Sequence, residues 1–109
     1  MTNTHISKDY YGNWQAKTTE KITINGKPAH VDLSTSKHNK QIVTTLSVCW
    51  PSEDGRSTRF TVFQDYLQRL EASTVRATSK VVENQHAKHK ANMPQHLQDV
   101  QDFYADKVY

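Results

Sequence analysis

Chemistry, if this chain performs any, would be sought first in VVENQHAKHKANMPQHLQDV, the window from Val81 to Val100. It holds three imidazoles, His86, His89 and His96, beside Glu83, Lys88 and Lys90. Glu83 and His86 form a Glu-x-x-His step. Di-iron bundles use that step twice and add two further carboxylates from other helices, whereas this chain has it once. The HExxH spacing of zinc hydrolases is absent, and Cys49, the one cysteine, has no CxxC partner. No metal or other cofactor is therefore expected. Nucleophilic catalysis needs a Ser, Thr or Cys beside a base and an orienting group. Cys49 falls inside a strand-like run, and His30, Asp32 and His38 come with no nucleophile elbow or glycine-lined oxyanion loop. Glu53 and Asp54, the closest carboxylate pair, sit in a turn-forming segment. With three glycines in all there is no phosphate-cradling loop. The expectation is a protein that is not an enzyme.

Charge is the second candidate for function. Between Tyr66 and Asn92 the chain carries Arg69, Arg76, Lys80, Lys88 and Lys90 against Glu71 and Glu83. Arg69, Arg76 and Lys80 are seven and four apart, close to one stripe of a helix, and such a stripe can follow a phosphate backbone or an acidic protein surface. The commoner role of such a stripe is the solvated side of an amphipathic helix. Farther on, Asp99, Asp102 and Asp106 recur at three and four and share a face that can present carboxylates to a basic partner. Tyr10, Tyr11, Trp14, Trp50 and Phe63 are candidates for a stacking platform, although the βαββαβ order of RNA-recognition sheets is missing. A helix-turn-helix is disfavoured by an acidic last helix and by the lack of a glycine-bearing turn at Met93-Pro94.

These residues must be positioned by elements that periodicity makes visible. Trp14, Ala16, Thr18, Ile22 and Ile24 fall on even positions, the alternation of a half-buried strand. Asn25-Gly26 is a hairpin signal, and Ala29, Val31 and Leu33 alternate on the return. SKHNK reads as a loop. QIVTTLSVCW follows, with Ile42, Thr44, Leu46, Val48 and Trp50 on one face. PSEDGR closes a second hairpin, and STRFTVF returns with Phe60 and Val62 facing one way and Phe63 the other. Then the period changes. Leu67, Leu70, Thr74, Ala77 and Val81 predict a long helix over about 64–92, and Pro94 starts a second over about 94–107 with Leu97, Val100, Tyr104 and Val108 as its stripe. The expected fold is α+β: strands over about 13–63 in a four-stranded antiparallel meander, then one long and one short helix, in one domain spanning 1–109.

The totals agree with a binding role. The chain has 109 residues, 35% of them hydrophobic, ten aromatic residues and a formal charge of +3. Mean hydropathy is -0.83 and the isoelectric point about 9.0. A thin core is implied, completed by a partner or a second copy. No membrane span or signal-peptide core is read, and one cysteine fits a reducing compartment, so a cytoplasmic location is expected (the host cytoplasm for a phage-encoded protein). The profile matches, by class alone, small phage- and plasmid-encoded inhibitors of host defence complexes, anti-CRISPR proteins among them. The leading expectation is a non-enzymatic protein-binding module acting by stoichiometric steric or electrostatic blocking. Its partner would be a protein, or a nucleoprotein complex, met by Arg69, Arg76, Lys80, Lys88, Lys90, Asp99, Asp102 and Asp106. The alternative is a nucleic-acid binder using the basic helix 66–92. Monomer and homodimer both stay open.

Overall fold

The computed structural model describes residues 3–38, 41–52, 54–67 and 78–108. It is α+β, with five antiparallel strands in sequence order followed by two helices. The strands are β1 (Asn3–Lys8), β2 (Trp14–Ile24), β3 (Lys27–His38), β4 (Gln41–Pro51) and β5 (Ser57–Leu67). The helices are α1 (Ser79–Lys90) and α2 (Met93–Tyr104). Each pair of neighbouring strands is joined by a short connection, as a meander requires. Asn25 and Gly26 have φ of 51° and 79°, the left-handed pair that a two-residue hairpin turn needs to match strand twist.

The sheet has five strands and not four. β1 adds to the edge of β2 in the register Thr4↔Thr18 and Ile6↔Ala16. Its sequence, NTHISK, has a single apolar residue, so alternation gave no sign of it. The second departure is at β5. A bulge opposite Leu46 and Ser47 makes Phe60 pair with Val48 and Phe63 with Leu46. Phe60 and Phe63 therefore share a face; Val62 packs on that side with Phe60 as the alternation predicts, and the extra residue in β5 brings Phe63 there too, against the expectation that it faces the other way. Strand continues through Gln64–Leu67, so the helix expected from 64 begins instead at Ser79. Of the expected stripe, Leu70, Thr74 and Ala77 lie outside the described residues.

Both helices pack on one face of the sheet. Ile24, Val31, Leu33, Leu46, Val48 and Trp50 from the strands meet Met93, Val100, Tyr104 and Val108 in the main core. A smaller cluster of Ala16, Ile42 and Val82 closes the end under α1. No described helix covers the other face, which is rich in hydroxyl and cationic side chains.

Candidate functional site

The histidine window is divided among three jobs. His86 is 2% exposed and lies over the middle of the sheet, with Nε2 2.7 Å from Thr18 Oγ1 and Nδ1 3.0 Å from Thr35 Oγ1. The chain of hydroxyls continues from Thr18 to Thr4 at 2.8 Å and from Thr35 to Thr44 at 2.8 Å. Lys90 Nζ ends it by donating to Thr4 Oγ1 at 2.6 Å. A neutral imidazole suits this setting, one ring nitrogen accepting and the other donating. Burial, then the positive charges of Lys90 and His89, lower its pKa to about 4. His89 Nε2 lies 2.6 Å from Asp65 Oδ2. His96 rests on the Phe63 ring at 5.1 Å, and burial with His89 nearby holds its pKa below the usual imidazole value, while Asp99 opposes. Among the described residues, no three His, Cys, Asp or Glu side chains converge as metal donors. The window is thus chiefly a packing device between α1 and the sheet.

Of the predicted basic stripe Arg69, Arg76 and Lys80, Lys80 alone is a described residue. Lys80 is exposed in the first turn of α1. Lys88 Nζ reaches toward Asp65 on β5 at 3.9 Å, while Lys90 is tied to Thr4 on β1. β1 and β5 are the opposite edges of the sheet, so the two lysines leave α1 in opposite directions. Two residues apart on a helix is about 200° of turn, and they cannot share a face. Arg69 and Arg76 lie outside the described residues.

The three predicted acidic residues are all described, Asp99 and Asp102 on α2 and Asp106 in the turn that follows it. Asp99, Asp102 and Asp106 are exposed, and Phe103 stands among them 63% exposed. Asp99 and Asp102 accept from Gln95 and Gln98 one turn earlier, at 2.8 and 3.0 Å, which limits their rotamers. Phe103 meets Tyr104 edge to face at 4.9 Å. Tyr104 in turn meets Phe60 at 5.7 Å, and Phe60 stacks on Trp50 at 5.5 Å. Trp50 and Tyr104 are buried, whereas Phe60 is 41% exposed, so the ridge has a rigid base and two accessible ends. A cleft of about 240 Å³, lined by Val62, Asp99, Val100, Phe103 and Tyr104, lies on one side. On the other side a concavity of about 650 Å³ runs from Trp50 and Phe60 to Asp54, Asp106 and Lys107. Asp54 accepts from Ser52 Oγ at 2.7 Å and from the Arg56 amide, which hold its carboxyl below the usual carboxylate value. Lys107 Nζ lies over the Phe103 ring at 4.9 Å and 3.7 Å from Asp106.

Of the proposed platform aromatics, Trp50 is core, Phe63 packs beneath the helices, and Trp14 carries Lys8 over its ring at 5.7 Å. Tyr10 and Tyr11 are exposed at the β1–β2 turn, where the Asp9 carboxylate accepts from the Tyr11 and Asn13 amides. Cys49 is buried, and Glu53 lies outside the described residues. Phe103 was legible as the residue at i+4 from Asp99. The facing of Phe60 was legible from strand alternation, but its contacts with Trp50 and Tyr104 were not, since three elements bring those rings together. No protein-family model, no curated protein and no solved structure matches this chain.

Proposed function

We propose that this protein is a non-enzymatic protein-binding module whose contact surface is the aromatic ridge of β5 and α2 with its carboxylate rim. The observation that carries this reading is Phe103, 63% exposed at the end of a packed aromatic series, with the exposed Asp99, Asp102 and Asp106 close to it in sequence. Large exposed aromatics on a rigid base are typical anchors of interfaces, since little side-chain freedom is lost on binding. Carboxylates around them select a partner whose apolar side chain is flanked by Lys or Arg. Occupying such a basic surface blocks whatever it ordinarily meets, which is the stoichiometric inhibition expected of a small binding protein. The alternative, nucleic-acid binding by the helix over 66–92, draws no support from Lys88 and Lys90, which diverge.

The test is capture of binding partners from a cell lysate by the whole chain, after nuclease, in parallel with the Phe103→Ala and Asp102→Lys variants. A protein held at one-to-one stoichiometry by the native chain, and weakened about thirtyfold by Phe103→Ala, is the expected result. Equal retention by all three chains overturns it. Recovery of nucleic acid alone, lost at moderate salt, also overturns it and favours the alternative.

A further inference from the structure

The face of the sheet that no described helix covers carries a second site. β2 places Lys17, Thr19 and Lys21 on it, β3 places His30 and Asp32, and β5 places Arg59. Asp32 is 5% exposed, an unusual burial for a carboxylate on a solvent-facing sheet. It accepts from Thr19 Oγ1 at 2.7 Å and pairs with Arg59 at 3.2 Å and His30 at 3.6 Å. Arg59 also donates to Ser47 Oγ at 2.9 Å. The guanidinium is therefore fixed from beneath by two strands, yet its side chain stays 52% exposed, with donors left to offer. Lys17 and Lys21 are exposed and have no ion-pair partner among the described residues. These groups surround a concavity of about 590 Å³ whose lining also includes Pro28, Ala29 and Pro51 at one end.

Three cations against one buried, already paired carboxylate leave the lining with a net positive charge before His30 is counted. A buried aspartate costs desolvation, and in this place its evident effect is to hold an arginine fork in one orientation. A planar fork with two flexible ammonium groups is the donor set that suits a phosphoryl group. The volume is that of a small-molecule site, and the proline end offers an apolar rest for an organic substituent. We infer that this concavity binds an organic phosphate monoester, its phosphoryl oxygens on Arg59, Lys17 and Lys21 and its apolar part against Pro28 and Pro51. This site is on the face opposite the aromatic ridge and stands independently of the protein-binding reading.

Phenyl phosphate is the probe, titrated into the isotope-labelled full chain while amide shifts are followed, with inorganic phosphate and a single-stranded oligonucleotide in parallel. The expected result is saturable movement of the Thr19, Lys21, His30 and Arg59 amides with phenyl phosphate, and weaker binding of inorganic phosphate. The doubly substituted Lys17→Ala/Lys21→Ala chain, altered only at exposed positions, should bind at least about tenfold more weakly with its spectrum otherwise preserved. Arg59→Lys should weaken binding too, because an ammonium cannot replace the fork. Shifts that never saturate, or that are the same in the doubly substituted chain, overturn the inference. Saturation by the oligonucleotide without saturation by phenyl phosphate overturns it as well and assigns the face to a polymer backbone. Phe103→Ala leaves this titration unchanged, so its outcome and that of the capture experiment separate.

Discussion

Lowering the pH should strip stability from this fold through one residue. His86 has a folded pKa of about 4 against an ordinary value of 6.5, because burial between α1 and the sheet disfavours the cation and Lys90 and His89 add repulsion. In the window between those two values the unfolded chain binds the proton and the folded chain does not, so stability falls as pH falls and the loss levels off below about pH 4. At about pH 7 neither state is much protonated. At about pH 5 the unfolded imidazole is nearly all cation and the folded one about nine-tenths neutral, and the linkage amounts to about 2 kcal/mol. The assay is urea unfolding at pH steps from about 7 to about 5, on the native chain and on His86→Gln, whose amide can still bridge Thr18 and Thr35 but cannot titrate. The variant should be less stable at neutral pH and have a much flatter profile. Its remaining slope should have the same sign, since the pKa of His96 is also lowered. Parallel profiles for the two chains would refute the reasoning, as would a ring-proton titration of His86 centred near its free value.

Two further outcomes follow from the fold. Leu33→Ala, at a position 0% exposed on the central strand, should cost about 3 kcal/mol by urea unfolding, the usual range for a cavity left in a core that relaxes only in part. Gly26→Ala should cost about 1 kcal/mol, and the reason would be conformational alone: an added Cβ meets nothing within 4 Å, but φ of 79° strains any residue with a side chain. A midpoint shift near zero in either chain, measured the same way, would contradict the packing or the turn assigned to it.

What could be read from the sequence followed from how local each signal is. The Asn25-Gly26 turn and the alternation in β2, β3 and β4 are written within about ten residues each, and they specify hairpins whose partners lie next in the chain. β1 was invisible because an edge strand can present Thr4 and Lys8 beside a single Ile6, its inward side meeting hydroxyls and not a wall of aliphatics. The end of β5 reads as helix in the sequence because one bulged residue, Val62, offsets the alternation just before Leu67 begins a three- and four-residue spacing. Asp99 and Asp102 were legible as neighbours on α2 because helix spacing alone sets them, whereas the aromatic ridge needs Trp50, Phe60 and Tyr104 from three elements.

The buried polar layer is the most instructive case. Thr18, Thr35 and Thr44 occupy positions where the alternation of three successive strands calls for apolar residues, and all three are 0% exposed. Hydroxyls placed there leave donors and acceptors that water cannot reach, so whatever packs above them must answer with polar atoms of its own. A helix crossing that row needs a side chain able both to donate and to accept across two strands, and uncharged imidazole does this with two ring nitrogens. The threonines thus anticipate a histidine on α1, and the spacing of the strands decides that it is His86 and not His89, which the helix turns toward Asp65. A row of threonines in register is in this sense a sequence signal for a histidine at a distance, readable once parity along the strands is compared across hairpins.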